Sequence, residues 1–193
     1  MVTELALRDG TPAMIWSLLP TDRETLREGY QRLSPESQLH RFLTPVPHLS
    51  ESMLVHLVDE VDGVNHVALM LFVINAEHDG VPVGVARMIR YPHDPAAADV
   101  AVTVGDEYQG RGVATALLDE LLRRRPAGVE RIVTTVAGDN PASLAMLRRL
   151  GTTTVTHEGV NRLGVTVDLP TPEQSTGDDA HPDPPRRDEA PGL

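Results

Sequence analysis

One stretch constrains this chain more than any other. Residues 97–104 form an apolar, strand-like run that turns through Gly105-Asp106-Glu107-Tyr108-Gln109-Gly110-Arg111-Gly112 into an amphipathic helix over 112–125. In that helix Val113, Leu117 and Leu121 recur at i+4, as do Ala114, Leu118 and Leu122. The first-turn N–H groups of a helix have no intrahelical partner and lie at the positive end of its dipole. Gly110 and Gly112 remove side chains that would block a ligand from the backbone. A phosphate or pyrophosphate is the expected guest. The spacing is not G-x-G-x-x-G, because the third position holds Thr115, and no Walker A loop is present, since the chain has no lysine at all. Spacing alone therefore leaves the nucleotide open.

The rest of the chain alternates between two periods. Residues 12–19 read as a first strand. Thr21 and Glu24 are spaced as a capping box opening a helix through Leu26, Tyr30 and Leu33. Ser34-Pro35-Glu36 starts a second helix with Pro at its first position. A third begins near Ser50 and carries Met53, Leu54, Leu57 and Val61. Strands follow over 67–74 and 81–89, joined by a turn at His78-Asp79-Gly80. After the 112–125 helix, Pro126 and Gly128 mark a stop. A strand over 131–137, a helix over 141–150 and strands over 153–157 and 163–169 complete a mixed α/β order.

Composition narrows the function. The net charge of −11 argues against a protein that coats nucleic acid. All 17 basic residues are Arg. Without cysteine there is no disulfide framework, thiolate nucleophile or cysteine metal site. The eight His are scattered without ligand spacing, so no metal is expected. No apolar run approaches a membrane span, and the first residues carry no secretory h-region, so a cytoplasmic protein is expected.

Composition shifts near Pro170. Residues 170–193 hold six prolines, six acids and two arginines, and are expected to be a disordered tail after a domain over 1–169. A docking peptide around Pro184-Pro185-Arg186-Arg187 is the functional alternative. The tail carries −4 of the −11, which leaves −7 on the domain and favours a cationic binding partner over an anionic one.

Gln109-Gly110-Arg111-Gly112-Val113-Ala114 resembles the Q/R-x-x-G-x-G/A signature of the GNAT N-acetyltransferases. Asp139-Asn140-Pro141, with its helix ending in Leu150-Gly151, is similar to that family's later segment. Leu7-Arg8-Asp9-Gly10-Thr11 and Leu33-Ser34-Pro35-Glu36-Ser37 resemble the Pat-like bacterial protein-lysine acetyltransferases. The resemblance implies a twisted mixed sheet of six to seven strands with helices on both faces. It implies acetyl-CoA as co-substrate, no metal, and a primary amine as acceptor, either a protein lysine or a small molecule. Neither nucleic acid nor membrane is an expected partner, and the chain is expected to be a monomer or homodimer.

Site residues follow from the same resemblance. Gln109, Gly110, Arg111, Gly112, Val113, Ala114 and Thr115 would hold the pyrophosphate, with Arg111 adding charge. Val102 and Val104 would bond the pantetheine arm through their backbone, and Asn140 and Ser143 would bind the cofactor or its thioester end. Pat-like relatives carry a catalytic Glu where this chain has Asp99. Asp99 is either the general base or the solvated start of a strand, and Glu107 is a second candidate base. Many family members place a Tyr acid where this chain has Leu147, and an aromatic where it has Thr152. That departure motivates a second reading, a CoA-binding regulatory or interaction protein without efficient catalysis.

Overall fold

The computed structural model describes residues 2–75 and 79–170. The tail expected over 170–193 lies outside them except for Pro170, as does His78 of the expected turn. Eight strands form one sheet in the order β1-β2-β3-β4-β5-β6-β8-β7. They are β1 (Thr3–Ala6), β2 (Pro12–Ser17), β3 (His66–Ile74), β4 (Gly80–Tyr91), β5 (Asp94–Val104), β6 (Arg131–Ala137), β7 (Thr152–His157) and β8 (Arg162–Asp168). The helices are α1 (Arg23–Gln31), α2 (Pro35–Phe42), α3 (Glu51–Leu54), α4 (Val113–Arg123) and α5 (Pro141–Arg148). No helix among the described residues is long and apolar enough to cross a membrane.

The sheet has one more strand than expected. β1 is only four residues long and pairs with β2 alone, too short for its alternation to register as a pattern. Its Thr3 hydroxyl donates to Glu120 on α4 at 2.9 Å, and Arg124 ion-pairs the same carboxylate at 2.6 Å. Together they tie the edge strand to the helix.

Both faces of the sheet are covered. Val67, Leu69, Leu71 and Val73 of β3 pack with Leu117, Leu118 and Leu121 of α4. Ala68, Met70 and Phe72, on the opposite face, pack with Leu26, Tyr30, Leu54 and Leu57 of the early helices. Burial on both sides explains why β3 is a continuous apolar run rather than an alternating one.

Two local readings change. Thr21 does not cap α1. Pro20 opens a short 3-10 turn, Pro20–Asp22, and the Asp22 carboxylate accepts from the Leu19 N–H at 2.8 Å. α3 is α-helical for four residues and then widens into a π-helical turn, Val55–Asp59, that leaves Val61 beyond it. The Ser34 start behaves as its sequence suggests, since its hydroxyl accepts from the Ser37 N–H at 3.2 Å.

Candidate functional site

The site is built where the sheet comes apart. β5 and β6 are the sheet's parallel pair, and they bond only at Ala97↔Arg131 and Ala98↔Ile132. Beyond that they splay. The Val100 carbonyl accepts the Thr134 hydroxyl of β6 at 3.3 Å. Backbone groups two residues apart on a strand point the same way, so Val102 and Val104 turn theirs toward the gap. β5 thus presents a short unpaired edge inside the molecule.

The turn after β5 leads to α4, whose N-terminus has no side-chain cap. Gly110 and Gly112 have φ of 76° and 92°, the left-handed region that other residues avoid. The turn is held in place by α2. Asp106 accepts from the Ser34 N–H at 2.7 Å and the Ser37 hydroxyl at 2.6 Å, and Gln109 donates to it at 3.1 Å. Burial alone would raise the Asp106 pKa, but the Ser37 and Ser34 bonds outweigh it and hold the carboxylate low. Its role as the strut between α2 and the loop carries no sequence motif.

A cleft of about 550 Å³ runs along this edge. Val102, Val104, Gln109, Gly110, Gly112, Val113, Ala114, Thr115, Asn140 and Ser143 all line it. Arg111 does not. Its Nε donates to Asp9 at 2.6 Å and its Nη2 to Thr11 at 2.8 Å, which anchors the loop to the chain's start. The arginines that line the cleft are Arg8, whose side chain passes beside Gly112, and Arg41 of α2. Asn140 caps α5 through its carbonyl oxygen, which accepts from the Ser143 N–H at 3.0 Å and leaves its amide N–H groups for a ligand. The Thr115 hydroxyl accepts from Arg149 at 3.1 Å. His40 of α2 meets Asp139, from the turn before α5, at 3.3 Å and bridges the two lips.

Asp99 lines a second cavity of about 380 Å³ between β5 and the β6–β8 side, with Tyr91, Thr134 and Glu158. Burial pushes its carboxyl above the ordinary range, against opposing help from Thr134 and the Arg41 charge. Among the lining residues only Arg41 is shared by the cleft and this cavity, so it stands at their junction. Tyr91 has its hydroxyl committed to the Val133 carbonyl at 3.0 Å. Leu147 is buried in the core and faces no cleft. Glu107 borders a third cavity, on the α1 side of the loop, whose lining does not include Asp99.

Known proteins share this architecture. A profile of the acetyltransferase (GNAT) family matches residues 27–152. Acetyltransferase Pat of Mycolicibacterium smegmatis is 32% identical over 165 residues, covering 85% of this chain but 48% of that protein. The chain thus spans about half the length of that relative. L-2,4-diaminobutyric acid acetyltransferase of Nocardia farcinica is 44% identical over 73 residues, 37% of this chain and 38% of that one. The crystal structure of the GNAT domain of S. lividans PAT superposes with a TM-score of 0.74 at 28% identity, covering 87% of this chain and 97% of that one. With the splayed strands, the glycine turn and a family match over more than half of its length, the chain belongs to the GNAT acetyltransferase family.

Proposed function

We propose that the chain transfers an acetyl group from acetyl-CoA to a primary amine by direct attack. The observation that carries this reading is the uncapped, glycine-opened N-terminus of α4 set at the end of the unpaired β5 edge. Backbone N–H groups from Gln109 to Thr115 would take the pyrophosphate, and Arg8 would add positive charge along the cleft. Val102 and Val104 would bond the pantetheine arm as an added strand.

The acceptor amine enters from the Asp99 cavity. It must be neutral to attack the thioester carbonyl. Asp99 takes its proton, directly or through one water, and burial makes that carboxylate a stronger base than an exposed one. The C–N bond forms, the C–S bond breaks, the thiolate leaves, and the new amide nitrogen sheds its remaining extra proton to solvent. With Leu147 buried in place of an acid, the thiolate takes its proton from solvent. The Pat-like resemblance supports a protein lysine as acceptor. The Nocardia relative's name supports a small diamino acid.

The missing tyrosine at Leu147 favours the second reading, cofactor binding without turnover. Calorimetry with acetyl-CoA, followed by thiol release over a panel of amines and a lysine-bearing protein, separates the two. Binding with turnover is expected. Binding without turnover on any acceptor supports the second reading. Absence of binding at millimolar acetyl-CoA overturns both.

A further inference from the structure

The third cavity, about 380 Å³, lies between β4 and the early helices. Its walls are mainly apolar, with Leu26, Leu49, Leu57, Met70 and Val85 among them. Three arginines interrupt that surface: Arg32 just after α1, which faces Glu28 at 4.0 Å, and two others, Arg41 from α2 and Arg87 from β4. Arg87 is only 4% exposed. Its Nη1 donates to the Leu57 carbonyl at 2.9 Å and approaches His66 Nε2 at 3.3 Å, both neutral partners. The Arg41 guanidinium lies over the Phe42 ring at 4.6 Å. Among the described residues no carboxylate lies within ion-pair distance of either.

This arrangement is costly as it stands. Burying a cation needs a counter-charge. Here burial, then the charge of Arg41, lowers Arg87 to about 9. The Asp99 charge is felt at Arg41 but sits beyond ion-pair distance, on the far side of it. Asp106 and Glu107 line the rim, and Asp106 is already engaged by Ser34 and Ser37. Neither Asp106 nor Glu107 pairs with Arg41 or Arg87, so these two guanidiniums lack a contacting counter-anion, and the apolar walls suit a carbon skeleton attached to one.

We infer that this cavity binds small organic carboxylates, with the carboxylate between Arg41 and Arg87 and an apolar body against Leu26, Leu49 and Met70. A guanidinium offers the planar pair of donors that a carboxylate accepts. Arg41, Thr103, Asp106 and Tyr108 line both this cavity and the cofactor cleft, so the two adjoin. The chain's overall acidity favours cations at its surface, whereas this interior site selects the opposite sign. The inference does not rest on acetyl transfer, since binding alone reads it.

The test is calorimetry and thermal shift on the full chain with phenylpropionate and hexanoate, their neutral amides, and inorganic phosphate, with and without saturating acetyl-CoA. The acids are expected to bind and raise Tm, and to do so equally when acetyl-CoA is present. The amides should bind at least about tenfold more weakly, through loss of the charge-assisted bonds. Arg87→Met and, separately, Arg41→Met should abolish the preference for acid over amide. Equal binding of acid and amide by the unaltered protein overturns the inference. So does binding of no acid at millimolar concentration, or phosphate binding as tightly as the acids.

Discussion

A β-carbon added to Gly84 would fall 2.8 Å from Val113 Cγ1 and 3.0 Å from Leu117 Cδ1. Gly84 is in the middle of β4, and Val113 is the first residue of α4. The missing side chain lets the start of the helix settle onto the sheet, which sets where its free N–H groups point. Gly84→Ala must push α4 outward. We expect a loss of about 1–3 kcal/mol in urea unfolding, typical of overpacking. Calorimetry should also show weaker acetyl-CoA binding. Unchanged affinity in the destabilised variant would disconnect this contact from the loop.

Gly112 and Gly110 are separable by the same logic. Both have positive φ, but a β-carbon at Gly112 meets Arg8 Cγ at 3.0 Å, while one at Gly110 meets nothing within 4 Å. Gly110→Ala carries backbone strain alone. Gly112→Ala adds displacement of Arg8 from the cleft. Acetyl-CoA affinity should therefore fall further in Gly112→Ala, by about tenfold or more for a combined effect above roughly 1.4 kcal/mol. Equal losses in the two variants would show that Arg8 does not contribute.

The loop and its helix were legible because local chemistry determines them: glycines at positive φ and an i+4 apolar repeat appear in the sequence itself. β3 was legible for a similar reason, since burial on both faces leaves an unbroken apolar run. What stayed hidden depends on partners far along the chain. Arg111 sits within the motif, yet its guanidinium is claimed by Asp9 and Thr11, about a hundred positions earlier. Arg8 takes the cleft position through the same long-range packing. Asp106 bears no signature, and its function as a strut exists only because α2 folds over the loop. Arg41 and Arg87 are isolated arginines in sequence, and only the fold puts them in one cavity.

Asp99 should govern the acid side of the pH–rate profile. A base must be deprotonated to accept a proton, so activity rises as pH passes through its pKa. Burial raises that pKa, which places the limb above the ordinary carboxylate range. Asp99→Asn is expected to lower kcat by about 10²–10⁴-fold, the usual contribution of a general base. The KM for acetyl-CoA should change little, because Asp99 lines the second cavity rather than the cleft. Asp99→Glu should recover part of kcat and shift the limb. An unaltered profile in Asp99→Asn would move the base elsewhere.

His66 should make the fold sensitive to mild acid. It is 5% exposed, and burial, then the charges of Arg87 and His56, lower it to about 4 from 6.5. Between those values the unfolded chain binds a proton that the folded chain refuses. Stability from this group is therefore complete above the unfolded pKa and is lost as pH falls toward the folded one. The loss amounts to about 2 kcal/mol near pH 5, before most carboxylates titrate. His66→Gln keeps a neutral acceptor for Arg87 without the titration. Urea midpoints at about pH 7 and pH 5 should differ clearly in the unaltered protein and much less in His66→Gln. The same drop in both would place the acid sensitivity in another group, since only His66 distinguishes the two chains.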